Sequence, residues 1–206
     1  FISYQVSFRL DLTAEKRYSI DSTSRALVQS LDEEVEILVF LKGDYPSGFR
    51  KLAASTGQFL SLLQAENPSQ FRYHFVSPLD EISNGKLWGD SLIKLGALNI
   101  NLTVQKKAGQ SSNIIFPVAL LRYKGQQILI NLLPGASRSI SQVELNQAEA
   151  MMEYQFTSSI NKLVHPTRPG VAYETGHGEP MDERTYQLRV ALQEGYDLRT
   201  LDITRQ

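Results

Sequence analysis

The sharpest chemical candidate in this chain is Thr175-Gly176-His177-Gly178-Glu179-Pro180, directly after a predicted strand and before a predicted helix. Glycines at such a junction let backbone N–H groups approach a ligand, and a helix N-terminus favours an anion. His177 and Glu179 are metal-competent, but two ligands on one loop do not make a site. The spacing is neither the GxGxxG fingerprint nor a phosphate loop, because no Lys-Ser/Thr pair follows. The structural alternative is a strand-to-helix turn, with glycine supplying positive φ and Glu179 complementing the helix dipole. A second turn, Gly43-Asp44-Tyr45-Pro46-Ser47-Gly48, sits at a similar junction. Asp44, Tyr45 and Pro46 therefore join Gly176, His177, Gly178 and Glu179 as the candidate ligand or partner surface.

The remaining reactive side chains carry less. His74 lies in an alternating strand, and His165 stands at a helix end, where a cation is favourable. Ser137, Ser139 and Ser141 are not part of a GxSxG elbow. Asp32, Glu33 and Glu34 read as a solvated turn, and Asp182, Glu183 and Arg184 as the opening of a helix. Tyr45, Phe49 and Trp88 suit a partner surface or simple packing. The 206 residues include no cysteine, which excludes disulfide scaffolds, thiolate nucleophiles and Cys-ligated metals. No catalytic, cofactor-binding or metal residue is assigned. A hydrolase built on His177 and Glu179 would lack a nucleophile and a third ligand, so the expected function is non-enzymatic.

Positioning these groups takes a fold. A 42% hydrophobic chain of this length buries one full core and has room for a second module. Its net charge of −1 is interspersed, without the concentrated basic face of a nucleic-acid binder. No run approaches a membrane span. The chain starts at Phe1 without an initiator Met and stops at Gln206 after a strand-like segment, so it reads as a piece of a longer protein.

Arg9 to Ser19 is polar and amphipathic. Asp21 or Ser22 caps a helix reaching about Leu31, with Ala26, Leu27 and Leu31 as its apolar stripe. Val35 to Leu41 is a near-continuous β-rich run, as in a strand buried on both faces. Phe49 to Ala65 is helical, and Asn67-Pro68 stops it. Phe71 to Val76 alternates as a strand, completing a βαβ unit with a parallel pair. A short helix spans Asp90 to Leu95, and Ile100 to Gln105 forms a strand followed by a loop around Ala108 to Ser112. Asn113 to Leu133 then reads as two strands joined by a Lys124-Gly125 turn, with Pro117 at the head of the first. Ser141 to Val164 is the longest helix, with Val143, Ala150, Met151, Tyr154, Ile160 and Leu163 among its apolar positions, and the pattern shows no heptad seam. His165-Pro166-Thr167-Arg168-Pro169-Gly170 is the breaker cluster that marks the domain boundary. A second β-α-β follows: Val171 to Thr175, a helix from about Met181 to Glu194, and Tyr196 to Ile203.

The order β-α-β, connection, β-β, α over Val35 to Val164 resembles the thioredoxin-like family, in which a cis-proline precedes the third core strand. Pro117 in Ile115-Phe116-Pro117-Val118 takes the matching place, so the resemblance implies a cis bond there. Asp44 to Gly48 stands where that family carries its paired cysteines. The expected fold is α/β: residues 1–19 as a membrane-proximal segment, 20–165 as a cysteine-free thioredoxin-like domain, and 166–206 as the truncated start of a Rossmann-like domain.

Several ordered segments also resemble the gliding-motility-associated ABC-transporter auxiliary family, GldG. They are Phe8 to Ser19, Leu41 to Leu52, Ile115-Phe116-Pro117, Tyr123-Lys124-Gly125, Asn131-Leu132-Leu133, Glu153 to Thr157 with Ile160 to Leu163, and Gly176 to Glu179. The last lies in a domain related to one of intraflagellar-transport proteins. The resemblance brings no catalytic residue, cofactor or ligand. It implies a domain on the periplasmic side of the bacterial inner membrane, anchored by segments outside this chain. Its partners would be an ABC ATPase, its permease and other gliding or secretion machinery, with no nucleic acid. The competing expectation is a solute-binding module that holds a small ligand between the two domains.

Overall fold

The computed structural model describes residues 19–204, apart from 107–108, 135–140, 168 and 177. The segment Phe8 to Tyr18, Ser137, Ser139 and His177 therefore lie outside the described residues. The protein is α/β, and its contacts divide it into two units, Phe1–Val164 and His165–Gln206.

The first unit opens with α1 (Ser22–Gln29), capped by the Asp21 carboxylate, which accepts the Thr23 N–H at 2.8 Å. The buried stripe of this helix is Ser24 and Val28 with Leu31 beyond its end and Leu27 half-buried, whereas Ala26 faces solvent. Spacings of three and four from Ser24 put these residues over the core and turn Ala26 away. β1 (Val35–Val39), α2 (Ser47–Glu66) and β2 (Phe71–Phe75) form the βαβ unit, with Val35 paired to Phe71 in parallel. A crossing segment follows: β3 (Glu81–Ser83), β4 (Lys86–Leu87), α3 (Trp88–Lys94), β5 (Ile100–Lys106) and β6 (Gly109–Ile115). β7 (Val118–Tyr123) and β8 (Gln126–Asn131) close the sheet, and α4 (Gln142–Val164) packs back over it.

The sheet order is β2-β1-β7-β8, with β1 antiparallel to β7 and β7 antiparallel to β8. That is a thioredoxin-like arrangement built without cysteine. The near-continuous apolar run of β1 follows from burial on both faces. Val35, Ile37 and Val39 enter the core shared with α1, α2 and α4, and Leu38 and Phe40 enter a second core under α3 with Phe116, Val118 and Leu120. The β7–β8 turn puts Lys124 at φ 49 and Gly125 at φ 73, the left-handed pair of a tight hairpin.

Three expectations are corrected here. The peptide bond before Pro117 is trans. The turn is made instead by the Val118 N–H donating to the Phe116 carbonyl at 2.8 Å and by the Leu132 N–H donating to the Pro117 carbonyl at 2.8 Å, and trans is the lower-energy isomer. The loop expected around Ala108 to Ser112 is strand from Gly109, paired from Ile100↔Ile115 to Lys106↔Gly109, while residue 108 lies outside the described residues. Ladder pairing there outweighs the poor strand propensity of Gly and Ser. On α4, Val143, Ala150, Met151 and Tyr154 are exposed, and Leu145, Ala148, Met152 and Phe156 join Ile160 and Leu163 in the core.

The second unit is a β-α-β: β9 (Gly170–Thr175), α5 (Glu183–Gly195) and β10 (Asp197–Asp202), the two strands parallel with Gly170 beside Asp197. Its side chains are half-buried or exposed among the described residues, since a two-stranded sheet and one helix cannot enclose a core.

Candidate functional site

The β1-to-α2 turn is built around Tyr45, which is 7% exposed. Its ring lies so close over Gly43 that a Cβ there would meet ring carbon Cζ at 2.7 Å. The Tyr45 hydroxyl donates to the Lys42 carbonyl at 3.3 Å, and the ring meets Phe49 edge-on at 6.5 Å. Burial pushes the Tyr45 hydroxyl pKa up. Tyr45 is a plug that seals the end of the core, with Asp44 exposed and Pro46 half-buried beside it.

The second candidate loop leaves β9 and enters α5. Gly176 has φ 127 and Gly178 φ 93, conformations that favour glycine. A Cβ on Gly176 would also stand 2.7 Å from Thr204 Cγ2. The Pro180 carbonyl accepts both the Tyr173 hydroxyl at 2.8 Å and the Thr185 hydroxyl at 2.9 Å. Asp182 caps α5 by accepting the Arg184 N–H at 3.0 Å, and its carboxylate also takes Arg184 Nη2 at 2.7 Å. The Arg184 side chain lowers the Asp182 pKa. The turn thus uses its polar groups to join strand to helix, and Glu179 is half-buried within it. An open groove of ≈ 530 Å³ lies elsewhere in this unit, lined by Thr167, Gln193, Tyr196, Asp197 and Leu198. Asp44, Tyr45 and Pro46 belong to the first unit, and Gly176, Gly178 and Glu179 to the second.

Among the described residues, Asp32, expected in a solvated turn, is held by two donors from the far end of the sheet. Its Oδ2 accepts Lys124 Nζ at 2.7 Å, and its Oδ1 accepts the Tyr123 hydroxyl. Lys124, and then Tyr123, hold the Asp32 pKa down at about 2. Burial first, and then the Asp32 contact, raise the Tyr123 pKa. These groups pin the β7–β8 turn to the α1–β1 connection, across 92 residues of sequence. Since the folded-state pKa lies below the ordinary 3.8, this lock stabilises the fold above that value and is lost as pH falls toward about 2. The wild type is therefore expected to melt above Asp32→Asn at neutral pH, with the gap closing between about pH 4 and 2. Thermal melts of both proteins across that range check it, and a gap independent of pH would contradict it.

Chemically, the carboxylates shifted among the described residues, Asp32, Asp182 and Asp202, are all moved downward by donors. General acid–base work at neutral pH asks for the opposite shift. His74 and His165 are exposed, and among the described residues no three His, Asp or Glu side chains gather as a metal site.

No curated protein and no solved structure matches this chain. Residues 14–122, just over half of it, match the family described as a domain of unknown function, DUF7088. That match takes in α1, the βαβ unit and the crossing segment, and it ends inside β7. The chain belongs to the DUF7088 family.

Proposed function

We propose that this chain is the extracytoplasmic part of a membrane-anchored accessory component of an ABC transporter associated with gliding motility. It acts by binding a partner or cargo and coupling it to ATP-driven motion of the permease. The observation that carries this reading is the ordered set of segments resembling the GldG family, taken with where they fall in the fold. Leu41 to Leu52 forms the Tyr45-plugged turn and the first turns of α2. Ile115-Phe116-Pro117 leads into β7, Tyr123-Lys124-Gly125 makes the β7–β8 turn, and Glu153 to Leu163 lies along α4. An ordered set at the pivots of one frame supports common architecture more than any single motif does.

No helix among the described residues is long and apolar enough to cross a membrane. On this reading the anchor lies in segments outside the chain, and the described units stand on the periplasmic side. Size-exclusion chromatography of the detergent-solubilised full-length protein tests the proposal. Co-elution with an ABC ATPase and its permease is expected, and a stable full-length protein eluting with neither would count heavily against it.

A further inference from the structure

The two edges of the four-stranded sheet, β2 and β8, are built differently. The β2 edge carries exposed Arg72, paired with Glu34 at 2.6 Å, and exposed His74. Its Phe71 carbonyl accepts Gln64 Nε2 at 3.0 Å. Charge and side-chain cover of this kind keep an edge strand from pairing with another chain. On β8 both are missing: Gln126 to Asn131 holds no charge, proline or glycine.

The backbone phase of β8 is fixed by its neighbours. The Leu132 N–H donates to the Pro117 carbonyl at 2.8 Å, and the Phe40 N–H donates to the Val118 carbonyl at 3.0 Å. Opposed residues of an antiparallel pair alternate between bonded and non-bonded. Gln126, Ile128 and Ile130 therefore turn their backbone groups to β7. Gln127, Leu129 and Asn131, opposite Arg122, Leu120 and Val118, turn theirs outward. Among the described residues these outward N–H and C=O groups meet no partner. Ile128 stays half-buried beside the core under the helices, and Leu129 beside the core under α3.

The residues of the strand select what pairs with it. A two-fold axis through Leu129 sets Leu129 against Leu129 of a second copy, Gln127 against Asn131, and Ile128 against Ile130. Apolar side chains then meet apolar ones and amides meet amides, each pair on one face of the joined sheet. The outward groups of Gln127, Leu129 and Asn131 also fall opposite one another, in phase to hydrogen-bond. Moving the axis to Ile128 or Ile130 sets Leu129 against Gln127 or Asn131 instead. The nearest charges are settled within each copy, Arg122 with Glu36 at 3.1 Å and Lys124 with Asp32 at 2.7 Å. A second copy thus meets a neutral edge with a neutral edge of its own.

We propose that β8 pairs antiparallel with β8 of a second copy about a two-fold axis at Leu129, joining the two sheets into one. Such an isologous contact closes the open edge of both copies at once. A single strand pair is a small interface, and small interfaces are transient, so the dimer forms as concentration rises. It stands whether or not the transporter reading holds, since it rests on β8 and its register alone.

The test uses the full chain, with amide hydrogen exchange followed by NMR at low and high protein concentration and sedimentation equilibrium alongside. Protection of the Gln127, Leu129 and Asn131 amides is expected to rise at least about threefold with concentration, while Ile128 and Ile130 stay protected throughout. Two double variants then test the register. Gln127→Glu with Asn131→Glu sets like charges opposite each other and should weaken the dimer about tenfold. Gln127→Glu with Asn131→Lys sets opposite charges there and should stay within about threefold of the wild type. Both variants lose the contact from the Leu133 N–H to Asn131 Oδ1, at 3.1 Å, so their melting temperatures as monomers should agree. A chain that stays monomeric at millimolar concentration would overturn the proposal, as would a dimer that both variants weaken equally or leave unchanged. Protection of the outward amides that does not depend on concentration would overturn it too, since it would assign the edge to the chain's own residues.

Discussion

Phe156→Ala is expected to destabilise the first unit by about 3–5 kcal/mol, the range for truncating a buried phenylalanine. Phe156 is fully buried near the middle of α4, its ring centroid 5.8 Å from that of Phe59 on α2. It sits where the two longest helices meet over the sheet, between Met152 and Ile160 on its own helix. Truncation loses the transfer energy of the ring and leaves a cavity that two long helices cannot close without shifting. A domain with about 5–15 kcal/mol in hand would be left marginal. Urea unfolding followed by circular dichroism measures it, and the midpoint should fall with little change in slope. Phe156→Leu, which keeps most of the volume, should cost clearly less. A loss below about 1 kcal/mol for the alanine variant would mean that α4 does not close this core.

The second large effect belongs to the other face of the sheet. Phe40→Ala is expected to cost about 3–5 kcal/mol as well, because Phe40 is fully buried among Leu38, Leu92, Phe116 and Val118. Its ring stands 5.2 Å from Trp88, the single tryptophan of the chain. The Arg122 guanidinium lies 5.3 Å over the Trp88 ring and donates to Glu36 at 3.1 Å. Loss of Phe40 opens the buried side of Trp88, so its emission should move to longer wavelength before global unfolding, while Phe156→Ala should leave native-state emission unchanged. The same shift from both variants would contradict a sheet with two separate cores.

Much of this frame is legible in the residues, for identifiable reasons. The run Val35 to Leu41 is apolar at every position but Glu36 because both faces of β1 are covered, and the helix after it shows its period over twenty residues. Lys124-Gly125 announces its hairpin because few residue pairs accept two positive φ values in succession. What sequence hides is phase and distance. On α4, both faces carry apolar residues, so periodicity alone cannot say which one the sheet takes: Val143, Ala150, Met151 and Tyr154 stand in the apolar pattern beside Ile160 and Leu163, yet they face solvent. Strands β3 and β4 pass unnoticed because they run only three and two residues, with one apolar residue each, although Asn84-Gly85 is a hairpin signal of the same kind. Asp32 looks solvated because its partners Tyr123 and Lys124 arrive only when the sheet forms. Of the candidate residues, Tyr45 is legible as an aromatic at a turn but not as a plug, which depends on the bare Gly43 beneath it. Gly176 and Gly178 have the positive φ that a strand-to-helix turn asks of glycine, while His177 lies outside the described residues.

The most direct test of the central claim is cross-linking of the tagged full-length protein in native membranes, followed by affinity capture and mass spectrometry of the linked peptides. The account predicts links from this chain to an ABC permease or its ATPase, with those subunits enriched over an unrelated membrane protein carrying the same tag. Capture of folded protein that carries links to neither subunit would contradict it.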